Sequence, residues 1–167
     1  EQLKAVVAPE LEFYLCEQNL DPDLPLKTPI GKSGRREKGS RVFGIDAVNE
    51  FDDLTDDIYD YCEILEIGVD TLIHESGPSQ IEINLNHGDP LKLADQAFMF
   101  KRAVRQVALK HEIHATFMSK PYQGHPGSSM HIHQNIISTE DNKNLFSDKN
   151  GNNTPEFFHF IGGLQTY

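Results

Sequence analysis

Glu10 and Glu12 sit two residues apart in the apolar run VVAPELEFYL, and His131 and His133 repeat that spacing in GSSMHIHQN. Residues i and i+2 of an extended strand share a face, so each pair would present its two polar heads together. Two carboxylates about 6–7 Å apart on one strand repel each other unless water, a cation or basic side chains separate them. A divalent cation resolves that conflict, because hard oxygen donors suit Mg²⁺ or Mn²⁺. A third pair, Glu75 and Glu82 in HESGPSQIEI, flanks a short SGPS reversal that can bring both carboxylates together across a hairpin. His74 faces the other way from Glu75 in a regular strand and is expected to be a partly buried histidine satisfied by a backbone carbonyl. Each pair alone fits a solvated strand face equally well. Three separate strands, each with ligand-type residues on alternate positions among apolar neighbours, favour one shared site.

Other chemistries lack their residues. There is no GxxxxGKS/T phosphate loop, no GxSxG, no HExxH, and neither Cys16 nor Cys62 has a histidine nearby to activate a thiol. KPYQGHPGSS contains glycines that offer backbone donors to a substrate, a weak signal by itself.

The elements that must position these side chains can be read from periodicity. KAVVAPELEFYLCE predicts a strand over Ala5 to Cys16, with Pro9 at a bulge or edge. Residues 22–41 are rich in Pro, Gly and basic residues, which predicts a long mobile loop over 20–42; its basic run, 32–38, lacks interleaved aromatics and reads as a solvated excursion. EFDDLTDDIYDYCEILEIG predicts an amphipathic helix with Leu54, Ile58, Tyr61, Cys62 and Leu65 on one face, acids in its first turns, and Gly68 as its stop. SQIEINLN alternates as a strand whose polar face carries Gln80, Glu82, Asn84 and Asn86. Asp89 and Pro90 read as cap and first residue of a long helix with Leu91, Ala94, Phe98, Val104 and Ala108 inward. HATFMSKP predicts a short strand closed by Pro121, the histidine strand follows through Ile137, and EFFHFIGGL opens another helix. The class is α+β or α/β with a substantial antiparallel part.

The chain has 167 residues, enough for one ordinary domain. Its 26 acidic against 15 basic residues give a formal charge of −11, which disfavours a nucleic-acid backbone or an anionic membrane surface as partner. No window approaches 18 apolar residues and no signal peptide is evident, so no membrane association is expected. The two cysteines lack CxxC pairing and read as free thiols in a reducing, cytoplasmic setting. The absence of an initiator methionine and the ending FIGGLQTY lead us to expect a fragment.

APELEFYL, HESGPSQIEI, KHEIHATFMSKP and GSSMHIHQN, in this order, resemble the catalytic domain of the glutamine synthetase family. FGIDAVNEFDD, EINLNHGDPLKLADQAFMFKRAVRQVA and the histidine strand resemble its bacterial γ-glutamylputrescine (γ-glutamylpolyamine) synthetase branch. The resemblance implies an α+β fold: a partial antiparallel β-barrel with flanking helices, incomplete here, with residues 1–167 covering part of the catalytic domain. It implies an ATP-dependent ligase that joins an amine, putrescine or a related polyamine, to the γ-carboxylate of glutamate through a γ-glutamyl phosphate, with two or more Mg²⁺ or Mn²⁺ ions per site. Residue by residue it implies that Glu12, Glu75 and Glu82 hold the ion nearer the amino acid, and that Glu10 and His131 hold the ion nearer the transferred phosphate. It further implies that Gly127 helps position glutamate and that His133 and Asn135 contact the nucleotide.

Four positions depart from the family pattern: Ser129 and Glu112 where glycine is usual, Asn135 where serine is common, and Ser119 where proline or alanine is common. By the same resemblance the smaller N-terminal domain, the C-terminal arginines, a last glutamate ligand and the acid that helps deprotonate the amine lie outside this sequence. Family members form homo-oligomeric rings with active sites between subunits, so this chain alone is expected to be inactive. The alternatives are a glutamine synthetase using ammonia, a non-catalytic structural or interaction protein derived from the family, and an unrelated metal-dependent hydrolase.

Overall fold

A computed structural model describes residues 2–21, 23–39 and 41–167; Pro22 and Ser40, two positions of the expected 20–42 loop, lie outside the described residues, as does Glu1. The elements in chain order are β1 (Leu3–Glu17), α1 (Ile45–Asn49), α2 (Asp52–Ile64), β2 (Val69–His74), β3 (Gln80–Leu85), α3 (Pro90–Lys110), β4 (Ile113–Thr116), β5 (Met130–Ser138) and α4 (Pro155–Thr166). All strand pairs are antiparallel, and the sheet runs β2-β3-β1-β4 with β5 also paired to β1. The α+β reading therefore holds, as an open five-stranded sheet with α2 and α3 packed on one face.

β1 is the axis of this sheet. Its N-terminal half pairs with β5 (Leu3↔Ser138 to Leu11↔Met130), its C-terminal end with β4, and its other edge with β3 from Glu10↔Asn84 to Tyr14↔Gln80. Pro9 does not interrupt it, and its register with Ile132 is regular. The N–H groups of Val7 and Leu15 donate toward the β3 side, to Gly88 and Ser79. Pro9 has the same parity, so its missing donor falls on that side, where the β3 ladder has not yet begun at Glu10.

Alternation divides the sheet into two faces. Leu11, Phe13 and Leu15 of β1 and Ile81, Ile83 and Leu85 of β3 form the core with Leu54, Ile58 and Cys62 of α2 and Leu93, Ala97, Phe100, Val104 and Val107 of α3. The intervening positions, Glu10, Glu12 and Tyr14 on β1 and Gln80, Glu82 and Asn84 on β3, are left to the opposite face.

Two sequence expectations are corrected, one at an element end and one on a helix face. α2 stops before Gly68: Leu65 closes it and Glu66 takes the left-handed conformation (φ 55°), while Gly68 is placed so that a Cβ would lie 2.7 Å from the Asn86 amide nitrogen. α3 begins as expected, with the Asp89 side chain accepting from the N–H groups of Leu91 and Lys92 and Pro90 in the first turn. Val104 and Ala108 point inward as expected, but in the first half of the helix Leu93, Ala97 and Phe100 are buried while Leu91, Ala94 and Phe98 are exposed. Helical spacing admits both stripes, and packing against β1 and β3 selects one. Glu112, where glycine is usual in the family, has φ 59° just past α3, the left-handed position that glycine occupies without penalty. Among the described residues, no helix is long and apolar enough to cross a membrane.

A candidate metal centre on the polar face of the sheet

The site is assembled by register. Residues opposite one another across a ladder share a face, and Glu12 faces Glu82 while Glu10 faces Asn84 on one side and His131 on the other. His133 lies opposite Ala8, next on the same face. One carboxylate oxygen each from Glu10 and Glu82 and one ring nitrogen of His131 lie within 4.8 Å of one another. Glu10 divides its oxygens between the imidazoles: Oε2 is 3.3 Å from His131 Nδ1 and Oε1 is 2.8 Å from His133 Nε2.

Glu12 is buried and held from two directions, with Oε2 accepting from the Gln80 amide at 2.8 Å and from the N–H of Ser129 at 3.0 Å. Gln80 was visible in sequence as a polar-face residue, but no role followed from that. It is 1% exposed and satisfied at both ends: its NH₂ also donates to the Gly127 carbonyl (2.9 Å), and its Oε1 accepts from the N–H of Gly77 (2.9 Å). The amide orientation is unambiguous, since two acceptors face its nitrogen and a donor faces its oxygen.

Glu75 follows β2, where its Oε2 accepts from the N–H of Ser76 at 3.2 Å and opens the turn into β3. His74 is buried as expected and meets the Glu75 carbonyl through Nδ1, but its Nε2 also meets the Glu37 carboxylate, which sequence did not foresee. Gly127 accepts the Gln80 bond where a Cβ would stand 2.6 Å from the Ser119 carbonyl oxygen, so only glycine fits. Tyr14, fully buried, closes the arrangement from below. Its hydroxyl donates to the Pro126 carbonyl at 2.8 Å, and its ring occupies the space beside Gly77, where a Cβ would lie 1.9 Å from the phenolic oxygen. Burial, then the charges of Glu12 and Glu75, push its pKa up to about 12, so it stays a neutral donor. Asn135 is engaged by the Asn144 side chain (2.9 Å) and lines, with His133 and His87, a groove of about 320 Å³.

The electrostatics ask for a cation. Burial, followed by the negative charges of Glu10, Glu75 and Glu12, raises the pKa of Glu82 above the usual carboxylate range. Among the described residues no Lys or Arg ion pair reaches Glu10, Glu12, Glu75 or Glu82. Glu10, Glu82 and His131 converge without a cationic side chain, while Glu12 and Glu75 lie outside that group of three; two carboxylates and an imidazole are donors that suit a hard divalent ion. Burial pushes the pKa values of Cys16 and Cys62 up to about 11, which disfavours their thiolates.

Comparison with known proteins gives the family. The family model "Glutamine synthetase, catalytic domain" matches residues 1–167. The chain is 40% identical over 163 residues to the γ-glutamylputrescine synthetase PuuA of Escherichia coli K12, covering 95% of this chain and 34% of that protein. It is 34% identical over 162 residues to the glutamine synthetase of Pyrococcus horikoshii, covering 97% of this chain and 34% of that protein. Among solved structures it is similar to "Apo GmaS without ligand" (TM-score 0.78, 27% identity, 98% of this chain and 37% of that one). The Plasmodium falciparum glutamine synthetase shares its fold, with a TM-score of 0.78 over 96% of this chain and 36% of that one. The chain thus spans about a third of the length of the curated relatives it matches. Ordered sequence blocks, the two-faced antiparallel sheet and a family match along the whole chain lead to one conclusion: the chain belongs to the glutamine synthetase family, as part of its catalytic domain.

Proposed function

We propose that the complete protein is an ATP-dependent ligase that joins putrescine or a related polyamine to the γ-carboxylate of glutamate. The observation that carries this reading is the convergence of Glu10, Glu82 and His131 within 4.8 Å on a sheet face that also carries Glu12 and, at the adjoining turn, Glu75. The 40% identity to a γ-glutamylputrescine synthetase favours a polyamine, and the similarity to glutamine synthetases keeps ammonia as the second reading.

The reaction balances in two steps. A γ-carboxylate oxygen attacks the γ-phosphorus of ATP and ADP leaves; the amine nitrogen then attacks the acyl carbon, phosphate leaves, and a proton passes from nitrogen to a base. Mg²⁺ or Mn²⁺, when bound, offsets the charge of the phosphoryl group that a carboxylate must approach. Glu12, Glu75 and Glu82 are assigned to one ion and Glu10 and His131 to another, with Glu82 lying near both groups. Gln80 and the Ser129 N–H fix the Glu12 carboxylate, leaving its second oxygen for an ion. Gly127 lets the 117–129 loop approach glutamate closely, and His133 and Asn135 face the groove assigned to the nucleotide. Two free, buried cysteines support a reducing, cytoplasmic setting. A homo-oligomer with sites shared between subunits completes the reading.

The test is product analysis by mass spectrometry with ATP, glutamate and either putrescine or ammonium. γ-Glutamylputrescine with stoichiometric ADP is expected, and it should fall by at least roughly 100-fold in Glu12→Ala and His131→Ala. Glutamine as the preferred product would establish the ammonia reading. Absence of product with either amine would leave a non-catalytic family member.

A further inference from the structure

The basic run 32–38, read from sequence as a solvated excursion, sends one acidic side chain inward. Glu37 stands between Arg36 and Lys38, yet its side chain is only 13% exposed. Its Oε2 accepts the N–H of Ser79 at 2.6 Å and lies 3.0 Å from Nε2 of His74. Its Oε1 is buried with no hydrogen-bond partner among the described residues. A carboxylate taken out of water is unfavourable unless specific donors hold it, so these two contacts account for its burial.

Both contacts reach the turn between β2 and β3. His74, gripped through Nε2, meets the Glu75 carbonyl with Nδ1 at 2.9 Å. Ser79 has φ 57°, a left-handed conformation that a non-glycine residue adopts only where its surroundings impose it. The next residue is Gln80, whose amide ties Glu12 to Gly127. The segment is fastened on either side of Glu37: Arg36 bonds Glu17 at 2.7 Å and the Thr28 carbonyl, and the Phe43 N–H donates to the His74 carbonyl at 2.9 Å.

We infer that Glu37 is a positioning residue for the metal centre: through Ser79 and His74 it holds the 75–80 turn so that Glu75 is aimed at the ion and Gln80 at the Glu12 carboxylate. This rests on the metal-binding reading proposed above. Glu37 would touch neither ion; it acts through the Ser79 N–H and the His74 ring.

The test is Mn²⁺ binding by the complete protein, measured by calorimetry, with His131→Ala identifying the step that belongs to the other ion. Glu37→Ala is expected to weaken the ion at Glu12, Glu75 and Glu82 by roughly tenfold or more, the usual cost of losing an outer partner, while the second ion stays within about twofold. Glu37→Asp keeps the charge and the fold but withdraws the carboxylate by one methylene, and should weaken the same ion by about threefold. Glu37→Gln retains an oxygen for Ser79 and should stay near the wild type. Unchanged affinity at both ions in Glu37→Asp and Glu37→Ala would overturn the inference and leave the metal site standing. Equal weakening of both ions in step with a lowered Tm would overturn it too, as general destabilisation. A wild-type protein that binds no Mn²⁺ would remove the metal reading and this inference together.

Discussion

Gln80 has both ends of its amide committed, to Glu12 and Gly127 on one side and to Gly77 on the other. Substitution by leucine would keep most of the volume and remove every partner at once, leaving the Gly127 carbonyl and the Gly77 N–H without that bond and Glu12 with one donor fewer. Gln80→Leu is therefore expected to lower Mn²⁺ affinity by roughly tenfold, measured by calorimetry. It should also lower unfolding free energy by about 1–3 kcal/mol, measured by urea denaturation. Wild-type metal affinity in that variant would mean that Ser129 alone orients Glu12.

At the scale of elements, the helical layer has its own electrostatic tie. Asp57 of α2 receives Lys110 Nζ at 2.8 Å and His111 Nε2 at 2.7 Å from the C-terminal end of α3. The bonds from Lys110 and then His111 hold the Asp57 carboxyl below the usual aspartate range. A lowered folded pKa contributes stability that is present above the unfolded value, near pH 4, and is lost as pH falls through the folded one. Asp57→Asn should accordingly lower Tm at pH 7, with the difference shrinking below about pH 4 and in high salt. A constant difference across that range would mean that Asp57 acts through packing rather than charge. β1 is the other decisive element, because one strand carries two ligand-type carboxylates and pairs with β3, β4 and β5.

At the scale of the molecule, a formal charge of −11 coexists with a sheet face on which burial, followed by the negative charges of Glu10, Glu75 and Glu12, raises the pKa of Glu82. Relief of that repulsion links metal to stability. Mn²⁺ or Mg²⁺ at about 100 times its Kd should stabilise the complete protein by roughly 2.7 kcal/mol, seen as a higher Tm that a chelator reverses. An unchanged Tm at millimolar metal would mean that the four carboxylates do not form an ion site.

Much of this was legible in one dimension. Alternation in VVAPELEFYL and SQIEINLN determined which residues leave the core, and Asp89 with Pro90 marked the start of α3, because strand parity and helix capping are local properties of the chain; in MHIHQN it separated no core, since Met130 and Ile132 are exposed too. Register was not legible: that Glu12 meets Glu82 and Glu10 meets His131 is settled by long-range pairing. Nor was the face that α3 buries, since Phe98 and Phe100 are equally apolar and only the sheet beneath distinguishes them. Glu37 gave no signal at all in a basic, proline- and glycine-rich stretch. Its burial against Ser79 and His74 joins residues 42 and 37 positions apart, and such contacts exist only once the chain has folded.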